Sequence, residues 1–400
     1  MYKLFDMLNR KIGLLVRFFI LFLFFSCKND FNEDSYKKTL TFSIDTISIN
    51  INDYQLFDYT YYSIYETDSL AYFYGYNQPL HSIDKFSLKG EKFLKSIPLN
   101  PDGPNSVDIP FDFYVHNEDS IFYYGSNYSL DIIDESGVII NSNLLESTRN
   151  FTKLAEQNVG FLAHPIYHKL YFDSKINSVF FHSYSVESIP NNSKYYQTPI
   201  LVEINLETAE VIDYPFYFPN PYQKEGEYLG EYMNPNIVVE DSLIIFSFPN
   251  SPVINVYDRK LDKLVSKEIK SRFTKNSVEP LPSETYSEIH LRLNHLIENP
   301  YFFRTLFDPY KNLYYRIHRG EHPNPDLSLG NYNLSYTRDY LSVFDSDFNL
   351  LEEIELPAKT YNALLFFVTN EGLNLPYSHY LNPNLDENKL VFHTYKFKLE

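Results

Sequence analysis

The segment "DSIFYYGSNYSLDIIDESGVII", Asp119–Ile140, decides the fold. It opens on an Asp-Ser pair, runs through apolar Ile121–Tyr124, and continues as two alternating stretches around the polar turn "DESG". Alternation at period two places apolar side chains on one face of a strand, and Asp and Gly provide the turn, so the segment reads as a strand followed by a hairpin. The same opening recurs as "DSLAYFY" at Asp68, "NSVFFH" at Asn177, "DSLIIF" at Asp241, "KNLYYR" at Lys311 and "NKLVFH" at Asn388. In five copies a hairpin belongs to the unit: "HSIDKFSLKGEKF", "LDIIDESGVII", "LVEINLETAEVI", "INVYDRKLDKLV" and "LSVFDSDFNLLEEI". A small antiparallel sheet cannot bury both faces alone, so its repetition calls for stacked neighbours in a ring. The sequence therefore predicts an all-β, six-bladed β-propeller, with seven blades as the competing count.

The ends of the chain support closure. "LTFSIDTISINI", Leu40–Ile51, alternates as a strand without a repeat opening of its own, and "KLVFHTYKFKLE" ends the chain. The first is expected to complete the sheet of the last blade. One segment breaks the pattern: "TYSEIHLRLNHLIENP" sets Thr285 and Glu288 at capping-box spacing and repeats apolar Ile289, Leu293, Leu296 and Ile297 at helical spacing before Pro300. This predicts one short inserted helix near 286–298, between the fourth and fifth blades.

Composition agrees with strands. The chain has 37 Tyr and 34 Phe but no Trp, and only 12 Gly against 23 Pro. Tyr and Phe favour pleated, half-buried surfaces. A net charge of −18 repels phosphate backbones and releases no counterions, which argues against a nucleic-acid partner. The absence of Trp excludes WD40 repeats, which need a Trp-Asp pair, and removes kelch repeats and sialidase Asp-boxes as well. A single cysteine excludes a disulfide framework and any multi-cysteine metal site.

That cysteine is Cys27. Lys3, Arg10, Lys11 and Arg17 form a basic lead, and Phe18–Phe25 an apolar core, as in a secretory signal. The apolar run is too short to span a bilayer, which takes about 20 residues. Ser26-Cys27 resembles a bacterial lipobox, with Phe24 where leucine is usual and Leu23 adjacent. Residues 1–26 are thus expected to be a lipoprotein signal peptide and 27–39 an acidic, flexible tether. Residues 40–400 would be a single propeller domain. Acyl chains on Cys27 would anchor the chain to outer-membrane lipid, at the cell surface or the periplasmic face.

The whole of Asp68–Glu400 resembles the Bacteroidetes lipoprotein family of six-bladed, NHL-like β-propellers of unknown function. The likeness rests on the lipobox at Cys27, on "NQPLHSIDKFSL" around the first hairpin, on "NPDGPNSV" at Asn100–Val107, and on "DPYKNLYYRIHRG" at Asp308–Gly320. The resemblance implies a fold and an address, and it supplies no reaction.

Chemistry-bearing residues concentrate in "DPYKNLYYRIHRGEHPNP". On a strand, Leu313, Tyr315 and Ile317 share one face, while Tyr314, Arg316 and His318 share the other. Tyr314, Arg316, His318 and His322 are the candidate ligand-binding residues, with Arg316 offering a bidentate fork to an anion in the central channel or, structurally, pairing between blades. Two His-x3-His pairs, His164/His168 and His318/His322, lie beside Pro165 and a Gly320–Pro323 turn, which argue against the helix that would align them on a metal. "DSDFN" at Asp345 lacks the Gly and Glu of a calcium loop and reads as a hairpin turn. No Gly-rich phosphate loop, nucleophile elbow or zinc-protease helix is present, so no catalytic residue, metal or cofactor is assigned. The function expected is a lipid-anchored, non-enzymatic binding or scaffold module for an envelope protein, peptide or glycan. The alternative is a propeller hydrolase or lyase acting on an extracellular polysaccharide or peptide, its acid and base drawn from different blades.

Overall fold

The computed structural model describes residues 40–144, 159–322, 325 and 334–400. Six antiparallel sheets follow one another along the chain. Their first strands are Tyr62–Glu66, Pro110–Asn117, Val159–Leu162 with Tyr171–Asp173, Asn236–Glu240, Tyr301–Asp308 and Phe367–Thr369. These define blades 1 to 6 of a β-propeller. A seventh sheet is only the two-stranded pairing of Glu227–Tyr228 with Leu281–Pro282 inside connections, so the count is six.

Closure follows the expectation from the termini. Leu40–Asn50 pairs antiparallel with Lys389–Leu399 over its whole length, from Leu40 opposite Leu399 to Asn50 opposite Lys389. Blade 6 is thereby built from both ends of the domain. Ile49 is fully buried there, in a cluster with Tyr59, Phe73, Phe367 and Phe392 that joins blade 6 to blade 1.

The repeat is real, with one copy out of phase. The openings at Asp68, Asp119, Asn177, Asp241 and Lys311 lead into the second strand of their blades. "NKLVFH" instead enters the third strand of blade 6, because the second is Gly372–Pro376. That strand is short and preceded by a tight turn at Asn370–Glu371, so it carries too little apolar alternation to register in sequence. The hairpin turns share a device. Asp134, Asn205, Asp258 and Asp345, each at or just beyond the end of a third strand, accept backbone N–H bonds from residues two to four places downstream. "DSDFN" is such a turn.

The inserted helix spans Ile289–Ile297, between blades 4 and 5. Its capping box does not form. Thr285 instead closes a preceding single 3-10 turn, its hydroxyl donating to the Pro282 carbonyl at 2.7 Å, and Glu288 caps without a side-chain bond.

The two faces of the ring differ. On one, strands are joined by short turns such as 118–119, 241–242 and 370–371. On the other run the long connections, among them 186–200 within blade 3, 214–235 between blades 3 and 4, and 269–300 between blades 4 and 5 with the helix. Loops of this length on a rigid frame are where binding residues concentrate. Leu40 enters the fold on the short-turn face, since its partner Leu399 lies beyond the Thr369–Gly372 turn.

Candidate functional site

The first strands surround a central channel, and one residue from each blade faces it: Ile64, Tyr114, Tyr171, Val238, Leu306 and Val368. Each is only half-buried while its strand neighbours are mostly buried, as period-two alternation at an inner edge requires. Together with the residues above and below them they enclose a cavity of about 210 Å³. This is small for a drug-sized ligand and fits a single side chain or terminal sugar-sized group.

Toward the long-loop end the channel is crossed by Arg304. The first strand of blade 5 carries a bulge between Phe302 and Thr305, which re-aims the side chain. Its guanidinium donates to the Pro165 carbonyl at 2.6 Å, the Tyr62 hydroxyl at 2.7 Å and the Phe366 carbonyl at 2.9 Å, joining blades 5, 3, 1 and 6. At 2% exposure it is a brace and offers little to a ligand.

Beside it stand Asp112 and Lys169. Asp112 is fully buried, its Oδ2 accepting from the Leu170 backbone at 2.8 Å, while Oδ1 has no hydrogen-bond partner and lies 3.9 Å from Lys169 Nζ. Lys169 donates to the Tyr62 carbonyl and sits 3.6 Å from the Tyr62 ring centroid. Burial and, to a lesser degree, the Arg304 charge outweigh Asp112 and pull its ammonium down to about 8, although 26% of its side chain stays open to the cavity. Toward the other end Glu240 is the one carboxylate lining the cavity among the described residues, beside Tyr114 and Tyr171. Burial, then the nearby Asp308 and Asp241, push it up to about 7. The channel thus has cations at its long-loop end and an acid poised near neutrality at the other.

The sequence-chosen residues lie elsewhere. Leu313–Arg319 is the second strand of blade 5, one step out from the channel, so Arg316 turns into the seam with blade 4. There it donates to the Pro252 carbonyl at 2.7 Å and the Ile269 carbonyl at 2.8 Å, between the rings of Phe302 and Phe344. It is 1% exposed, and burial pulls its guanidinium down to about 9. His318 lies in the same seam, 3.0 Å from the Ser271 hydroxyl and stacked on Phe302 and Tyr340, with burial holding its pKa well below the usual imidazole range. Tyr314 shares that strand face but packs on Phe307 and Phe348. His322 lies beyond the strand, its backbone N–H on the carbonyl of Ile297. The structure brings Arg316 and His318 together and leaves all four out of the channel lining.

The other histidine pair is a turn. His164 and His168 exchange backbone hydrogen bonds across Pro165–Tyr167, which aims the Pro165 carbonyl at Arg304. His168 bonds the Phe180 carbonyl and burial pulls it down to about 4, so it is neutral. Among the described residues no three His, Cys, Asp or Glu side chains are placed to hold a metal ion. Cys27 lies outside the described residues.

Sequence reading missed Asp112, Lys169, Glu240 and Arg304. The available signal was a lone charge in an apolar strand, as in "PFDFYV" and "YFFRTLF". Such charges are rarely buried without a partner.

Fold and channel define a six-bladed β-propeller with a narrow, charged axial cavity. The family model described as "Domain of unknown function (DUF4221)" matches residues 31–355, and the chain belongs to that family. It is similar to a member of the family from Bacteroides vulgatus whose crystal structure aligns at a TM-score of 0.77 and 20% identity, covering 91% of this chain and 100% of that one. A putative exported protein from Bacteroides fragilis aligns at a TM-score of 0.52 and 11% identity, over 90% of this chain and 95% of that one. At these identities the likeness shows the fold. No curated protein matches the chain.

Proposed function

We propose that the chain is an exported envelope lipoprotein, anchored through an acylated Cys27 to outer-membrane lipid, that binds a protein, peptide or glycan on its long-loop face without transforming it. The observation that carries this reading is the asymmetry of the ring: the long connections and the helix share one face, and Leu40, the end nearest the tether, enters on the other. A tether leaving there favours presentation of the long-loop face away from the lipid. The description of the similar Bacteroides fragilis protein as putatively exported supports the address. Metabolic labelling with an alkyne fatty acid tests the anchor: wild type should be labelled and Cys27→Ala should not, and equal labelling of both would sink it. Glycan and peptide arrays probed with the protein test the binding role. Retained, intact ligand supports it, while ligand released in cleaved form overturns it.

Lys169 near 8 and Glu240 near 7 in one cavity favour a second reading, acid–base chemistry on a polymer end inserted into the channel. A cleavage activity abolished by both Glu240→Gln and Lys169→Met would establish it in place of the binding role.

A further inference from the structure

Three arginines of blade 5 invite comparison. Arg304 and Arg316 each spend both Nη groups on backbone carbonyls or a tyrosine hydroxyl. Among the described residues Arg319, at the end of the second strand, spends neither: its Nε is 3.8 Å from Asp339 Oδ1, beyond hydrogen-bond length, and neither of these two atoms has a hydrogen-bond partner there. Only 16% of its side chain is exposed. A guanidinium carries five N–H donors in a planar fork, and leaving the buried one, on Nε, without an acceptor is costly.

Arg319 lines a cavity of about 400 Å³ on the long-loop face between blades 5 and 6, within the size range of small-molecule sites. Lys359 lies on the same wall, its ammonium 4.3 Å from the Tyr336 ring centroid. His379 is there too, and its Nδ1 accepts from the Leu381 N–H at 3.0 Å, which puts its proton on Nε2. Burial first, then Arg319 and Lys359, hold that imidazole below its usual pKa, a sign that the wall is electropositive around it. Of the two carboxylates lining it among the described residues, Asp58 is occupied by Ser378 at 2.8 Å and Asn362 at 3.0 Å. Asp339 is the other, and burial pushes its carboxyl up, against the opposing pull of Arg319. Leu356, Ala363, Leu364 and Tyr361 complete an apolar side. A small inorganic anion would leave that side unfilled.

We infer that this cavity is a ligand site separate from the channel, taking a small organic carboxylate whose carboxylate group lies on the Arg319 fork and whose body lies against the apolar wall. Planar carboxylates match the guanidinium geometry bidentately. The ligand's body comes from one of two envelope sources, a sugar acid or the carboxyl end of a peptide.

Calorimetric titration of the full chain in detergent distinguishes them. Glucuronate is compared with glucose, and N-acetylalanine with its amide. At least one acid should bind at about 1 mM or tighter, at least about tenfold tighter than its neutral counterpart. Arg319→Gln should weaken that acid at least tenfold with the thermal transition unchanged. Because Arg319 also packs on Phe303, Lys359→Asn is a second test. Lys359 has a φ of 55°, which Asn tolerates, so this variant should fold and bind several-fold more weakly. Acids that bind no better than their neutral counterparts, or acid affinity unchanged in both variants, would overturn the site.

Discussion

Arg304 donates to the Tyr62 hydroxyl at 2.7 Å across the channel, so blade 5 is bonded directly to blade 1, which is not its neighbour in the ring. Most contacts in a propeller run between adjacent blades, and such a ring can loosen one seam at a time. Arg304 ties four blades at once, because Pro165 of blade 3 and Phe366 beside blade 6 accept from the same guanidinium. Among the described residues the cation is stabilised by oxygen dipoles, with no carboxylate hydrogen-bonded to it.

Arg304→Met should therefore be strongly destabilising, by about 3 kcal/mol, since it strands the buried Pro165 carbonyl and leaves the Tyr62 hydroxyl and the Phe366 carbonyl with only their mutual bond at 3.0 Å. Tyr62→Phe should cost about 1 kcal/mol. Urea unfolding of the two single variants and the double variant checks the coupling, and additive losses would show that the cross-channel bond contributes nothing.

Arg316→Met is expected to destabilise by about 2 kcal/mol, because the Ile269 carbonyl loses its donor and the Pro252 carbonyl keeps only the Ile269 N–H at 3.3 Å, while the seam keeps its volume. It should leave ligand binding on the array unchanged. A variant with native stability and lost binding would return Arg316 to a recognition role.

These arginines show what the sequence discloses. The repeat, the closing strand at Leu40 and the Asx turns are legible because they depend on residues within a few places of one another. The channel is not, because Asp112, Lys169, Glu240 and Arg304 come from four blades and meet only through ring closure. Arg316 illustrates the middle case. Alternation correctly set its face relative to Leu313, Tyr315 and Ile317, which enter a different core cluster from Tyr314. Whether that face looks into a channel or a seam depends on the strand's rank in its blade, and "KNLYYR" carries no mark of rank. Blade 6 misleads for the same reason, since its second strand is short and its third resembles an opening.

Closure by Leu40–Asn50 should be essential. Ile49→Ala is expected to cost about 3 kcal/mol, as a fully buried aliphatic side chain among aromatic rings. A chain beginning at Asn52 should lose its cooperative thermal transition and regain it on addition of a synthetic Leu40–Asn50 peptide. Retention of a normal transition by the shortened chain would show that the strand is dispensable.

Glu240 gives the protein a pH dependence with a definite sign. Its carboxyl rises from 4.5 in the unfolded chain to about 7 in the fold, chiefly through burial. The folded state therefore binds more protons than the unfolded state between these values, and stability must fall as pH rises through that window. By about one pH unit above 7 both states are ionised at this site and the loss is complete. A shift of this size corresponds to roughly 3 kcal/mol at most. Because other groups titrate in the same range, the readout is the difference between wild type and Glu240→Gln in urea unfolding. The variant should gain on the wild type steadily from pH 4.5 to 7, more slowly up to about pH 8, and hold a constant advantage above that. A difference that stays flat across the whole range would mean that Glu240 is solvated in the channel and titrates as an ordinary carboxylate.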